Sequence, residues 1–111
     1  MRIELIVPDQ APAGQDFVMR ALLVNDSYEP VEIWRNAFVG PTAEPGTGAP
    51  VAPSVEPTFG QPEQPLLLQP FTIYGRDRQS GPMERGVVVV TARYQPEGAE
   101  ALSASREVRI D

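Results

Sequence analysis

The sequence predicts an all-β fold, a sandwich of two stacked sheets built from about seven antiparallel strands. Short runs of alternating apolar and polar residues recur along the chain, which is the period of a half-buried strand. Apolar residues at helical spacing are not sustained over successive turns, and prolines interrupt nearly every stretch long enough to hold a helix. A chain of 111 residues is also the size of one domain with one core, so residues 1–111 read as a single unit.

The first strand is placed at residues 3–7, where it stops at Pro8 before the turn-rich residues 9–14. A second covers residues 17–25, with Phe17, Met19, Ala21 and Leu23 on the core face and Arg20 pointing away. Asn25, Asp26, Ser27 and Pro30 then make a tight connection, since short polar side chains bond their own backbone and proline fixes φ. An Asx turn accounts for that cluster without a metal. The third strand is read at residues 31–39. Val31 and Ile33 fall on one parity there and Trp34 and Phe38 on the other, which requires a bulge or burial on both faces.

Residues 40–65 hold seven prolines and four glycines and read as a long Pro/Gly-rich loop or insertion, with at most a short edge strand over 54–59. Its sizeable apolar side chains are Val51, Val55 and Phe59, the candidate partner-binding residues. Prolines reduce the entropy lost when a loop is fixed against a partner, and apolar side chains supply anchors.

Leu66 to Leu68 gives a brief apolar run, Gln69 and Pro70 break it, and extended chain resumes over 71–74. The polar residues 76–85 read as a loop with one helical turn, Met83 tucked beneath it. Two strands are clearest: residues 86–94, with Val88, Val90, Ala92 and Tyr94 inward and Arg93 outward, and residues 103–110, with Val108 and Ile110 inward. The turn at 95–98, Pro96 at its second position, joins them as a hairpin.

The second strand running into Asn25-Asp26-Ser27, the Leu68-Gln69-Pro70-Phe71 step and the closing hairpin over 86–110 together resemble an immunoglobulin-like or fibronectin type III-like sandwich. The resemblance implies an architecture and no activity. The chain departs from antibody domains in having no cysteine pair, and Trp34 alone matches their core tryptophan.

Composition narrows function. All nine cations are arginine, and the chain has no lysine, histidine or cysteine. That removes disulfides, His/Cys zinc sites, Schiff-base lysines, the phosphate-loop lysine and Ser/His or Cys/His nucleophile pairs. A net charge of −6 repels phosphate backbones and anionic lipid, so neither nucleic acid nor membrane is an expected partner. Asp77 and Glu84 dilute the local arginines Arg76, Arg78 and Arg85. No run reaches the length of a bilayer span and residues 1–8 do not read as a signal peptide, so cytoplasmic is the default placement. The expectation is a non-enzymatic protein–protein interaction module without a cofactor. It would bind another protein through the loop at 40–65, or through a sheet edge at 3–7 or the closing strand. The alternatives are a protease inhibitor of β-sandwich type and an accessory domain of a larger enzyme or surface protein.

Overall fold

The computed structural model describes residues 1–46 and 64–111. In chain order these form β1 (Arg2–Ile6), β2 (Gln10–Ala11), β3 (Val18–Val24), β4 (Val31–Ile33), a 3-10 turn (Arg35–Ala37), β5 (Phe38–Pro45), β6 (Leu66–Leu68), β7 (Ile73–Gln79), β8 (Gly86–Tyr94) and β9 (Leu102–Ile110). The strands make a three-stranded sheet in the order β1-β3-β7, a four-stranded sheet in the order β2-β9-β8-β5, and a two-stranded ribbon of β4 and β6. Every pairing is antiparallel except that of β2 with β9. The class is all-β and sandwich-like, and the described residues form no closed barrel.

Alternation builds the core. In β3, Met19, Ala21 and Leu23 point inward beside Leu5 of β1. From the other sheet come Val88, Val90, Ala92 and Tyr94 of β8 and Val108 and Ile110 of β9, while Ile33 and Leu68 add the inner side of the ribbon. Leu23, Ile33, Val90 and Val108 are fully buried, each worth about 1.5–3 kcal/mol of transfer free energy. Tyr94 carries its polar end into the core at 1% exposure. Its hydroxyl accepts the Trp34 backbone N–H at 3.0 Å, so the burial leaves no orphaned group.

Four expectations need correction. The single strand at 31–39 is two: β4 pairs with β6, the 3-10 turn redirects the chain, and β5 joins β8 in the larger sheet. The two parities therefore belong to strands of different sheets, and neither a bulge nor two-sided burial is needed within residues 31–37. Trp34 precedes the 3-10 turn and is 38% exposed, so it is no core tryptophan. The region 40–65 begins as strand, because β5 continues to Pro45 along β8 after a register shift between Val39 and Thr42. Gly40 makes that shift possible: its φ is +99°, and a Cβ there would lie 2.8 Å from the Thr91 carbonyl oxygen. The polar stretch from Arg76 is no loop until Ser80, since β7 runs on to Gln79 in register with β3 from Val18↔Gln79 to Val24↔Ile73. Two smaller differences are that Gln10–Ala11 pairs with β9 inside the expected turn, and that Phe71 sits in a turn before β7.

Arg76 links the two sheets. It lies on the inward parity of β7 opposite Ala21, whose small side chain leaves room for it. Its guanidinium stacks over the Phe38 ring at 4.9 Å and donates to the carbonyls of Phe38 and Arg35. One side chain thus satisfies backbone acceptors where β5 begins.

Candidate interaction surface

A partner can be met by backbone at a sheet edge or by side chains on an exposed patch, and the fold offers both. The clearest edge is the outer flank of β9. β2 covers its C-terminal end, where Arg109 N–H donates to the Asp9 carbonyl and Asp111 N–H to the Ala11 carbonyl, both at 3.0 Å. Backbone groups alternate in direction along a strand, so Ser103, Ser105 and Glu107 aim theirs at the same side, beyond the reach of β2. The even-numbered residues face β8. Arg106 falls on the inward parity, opposite Val90, yet is exposed at the sandwich margin. An inward-directed charge of this kind discourages indiscriminate strand stacking. The opposite margin of the same sheet is β5, whose Pro41 and Pro45 lack the N–H that edge pairing needs. β1, the other edge expected from the sequence, borders the three-stranded sheet.

Side-chain candidates divide differently. Val51, Val55 and Phe59 lie outside the described residues. Within the described residues the most exposed aromatic is Tyr28, at 88% exposure, in edge-to-face contact with Phe71, with ring centroids 4.9 Å apart. Phe71 is itself 59% exposed and has φ +56°. Thr72 N–H donates to the Gln69 carbonyl across Pro70 and Phe71, so Phe71 occupies the position of a type II turn that normally calls for glycine. Sequence reading placed Tyr28 only in a connection and Phe71 in a strand. The Pro70-Phe71 pair carries the turn signal at its first residue, while the second contradicts it.

Beneath this pair Asn25, fully buried, holds the two loops together. Its Nδ2 faces the carbonyls of Glu29, Leu68 and Gln69 at 2.9, 3.0 and 3.2 Å. Its Oδ1 accepts the Ser27 backbone N–H at 3.1 Å, which is the Asx turn expected from the sequence. Three acceptors on one side and a donor on the other fix which way the amide points.

The charged groups on the outer face of the three-stranded sheet are paired, Arg2 with Glu4 along β1 and Arg20 with Asp77 across strands. Arg20 of β3 meets Asp77 of β7 in a two-pronged contact at 2.7 and 2.9 Å, which holds the Asp77 carboxyl below its usual range. Asp26 is likewise held low, first by the terminal amino group of Met1 and then by Arg2. The Arg76 guanidinium is turned onto the Phe38 ring and the carbonyls of Phe38 and Arg35, which takes it away from the exposed Arg78 and Arg85. Among the described residues no group of three or more carboxylates gathers as a cation site, and no helix is long and apolar enough to cross a membrane.

No protein-family model, no curated protein and no solved structure matches the chain.

Proposed function

We propose that the chain is an immunoglobulin-like or fibronectin type III-like sandwich serving as a non-enzymatic protein–protein interaction module, and that it engages its partner by strand addition along the outer flank of β9. The architecture is supported by the division of strands. The first, third and seventh lie in one sheet and the fifth, eighth and ninth in the other, as A, B, E and C, F, G do in such domains. The mode of binding is supported by the backbone groups of Ser103, Ser105 and Glu107 aimed away from β8, a row of donors and acceptors that a partner strand can pair with. The absence of lysine, histidine and cysteine argues against catalysis. The Pro/Gly-rich loop at 40–65, shortened by the part of β5 within it, is the second binding candidate.

The test compares baits captured against native extract. Ser105→Pro removes an outward N–H without touching the β8 ladder, and a second bait replaces residues 47–63 with a short linker, leaving β5 intact. Ser105→Pro should lose the captured protein while keeping the wild-type circular dichroism spectrum. Loss with the linker bait alone would move the site to the loop, and unchanged capture by both would overturn the proposal.

A further inference from the structure

We infer that the Tyr28–Phe71 pair, with Glu29 and Glu32, forms a docking patch for an arginine-rich segment of a partner protein. The inference rests on the chain being a protein-binding module, and it places a contact apart from the β9 flank.

Phe71 carries the first part of the argument. A bulky residue in the left-handed region costs about 1 kcal/mol or more relative to glycine, and that cost is ordinarily repaid by burial. Here the ring is 59% exposed. The loops it joins are already tied by Asn25, which bonds the carbonyls of Glu29 on one side and of Leu68 and Gln69 on the other. Fold stability alone therefore does not call for an aromatic at this position. What Phe71 adds is a second exposed ring beside Tyr28, set edge to face at 83°. Two perpendicular rings present π-faces in different directions, an arrangement suited to a flat delocalised cation.

Charge supplies the second part. Glu29 directly follows Tyr28, and Glu32 pairs across the ribbon with Leu67, which is 51% exposed. Neither carboxylate has an ion-pair partner among the described residues, whereas the nearby Asp26 is neutralised by Arg2 and the Met1 amino group. Unneutralised carboxylates, one next to Tyr28 in sequence and one on the ribbon that leads to the Phe71 turn, on a chain of net charge −6, are complementary to guanidinium groups. A lysine segment would be held by charge but would not stack as a planar group.

The test is an amide chemical-shift titration of the whole protein with a short arginine–glycine repeat peptide. The citrulline version of the peptide, a proline-rich peptide and protein dilution serve as controls. Shifts should centre on Tyr28, Glu29, Phe71 and Thr72. Phe71→Gly, which suits the native φ, should weaken binding about 3–10-fold, and Tyr28→Ser and Glu29→Gln should each weaken it comparably. Ser105→Pro should bind the peptide as wild type does. Four results would overturn the inference: equal binding of the citrulline or proline-rich peptide, shifts centred elsewhere, undiminished binding by Phe71→Gly, or the same amides shifting on dilution, which would make a second copy the occupant. If the patch fails while Ser105→Pro still abolishes capture, the strand-addition reading survives without it. If Ser105→Pro also leaves capture unchanged, both fall.

Discussion

Asn25→Asp inverts one side of a buried amide while hardly changing its volume. The Ser27 N–H keeps its acceptor, but the two protons of Nδ2 vanish and an oxygen faces the carbonyls of Glu29, Leu68 and Gln69. Losing two hydrogen bonds costs about 0.5–1.5 kcal/mol each, and the new buried oxygen, set against carbonyls that cannot donate to it, is left unsatisfied, which adds about 1–3 kcal/mol. Confining a carboxylate there raises the penalty further, so the loss at pH 7 should be about 3–5 kcal/mol. With a urea slope of about 1–3 kcal/mol per molar, the midpoint should fall by about 1–5 M. The same geometry raises the new carboxyl's pKa in the folded state above the unfolded value of about 3.9. A raised folded pKa favours the folded state at low pH, so the penalty is smallest below about pH 4, grows with pH and levels off above the folded pKa. Urea titrations of both proteins across that range, read as the difference at each pH, provide the assay. A penalty under about 0.5 kcal/mol at pH 7, or one that does not change with pH, would refute the role assigned to Asn25.

Arg76→Lys keeps the charge but loses the fork and the stacking, and should cost about 1–3 kcal/mol in thermal or chemical unfolding; wild-type stability would show that the carbonyls of Phe38 and Arg35 do not need that donor. Gly40→Ala meets both an unfavourable φ and the Thr91 carbonyl at 2.8 Å, and should cost at least about 2 kcal/mol; a neutral result would mean that β5 can shift freely along β8. The Asp77 carboxyl is held low by its hydrogen-bonded partner Arg20, so its contribution is present above the unfolded pKa of about 3.9 and is lost as pH falls through the lower folded value. Plots of unfolding midpoint against pH for wild type and Asp77→Asn should therefore converge below about pH 4 in low salt, and parallel curves would count against the pairing.

The strands legible in the sequence are those whose side chains carry the alternation. Val88, Val90, Ala92 and Tyr94 point inward as expected, and Arg20 points out. Only the start of β7, Ile73 and Tyr74, is legible, because beyond it the ladder comes from the backbone of β3 and the side chains do not alternate in polarity. Arg76 is polar on the inward side, where it reaches backbone carbonyls of the other sheet, and Gly75 on the outward side makes room for Leu22, whose Cδ2 a Cβ would approach to 2.9 Å. The change of sheet after Ile33 was missed because both strands contribute apolar residues, and parity cannot tell a break from a bulge. Of the candidate surfaces, the closing strand is expected at a sheet edge, whereas β2 lies outside its C-terminal end, a run of two residues too short to stand out. Tyr28 and Phe71 meet across a separation in sequence that no local pattern encodes.

The junction of β2 with β9 has a consequence for the order of folding. Gln10 pairs with Arg109, and their side chains also meet at 2.6 Å, so this contact closes a loop of nearly the whole chain. Loop closure of that length is entropically costly and weakly rewarded by two residues of ladder, whereas the β8–β9 hairpin forms between near neighbours. Folding should start at that hairpin and finish when the opening segment crosses from β1 to β2, with Ala11 contributing to the unfolding rate and little to the folding rate. The last contact made would then lie directly against the flank of β9, so the strand proposed to receive a partner is completed at the end of folding.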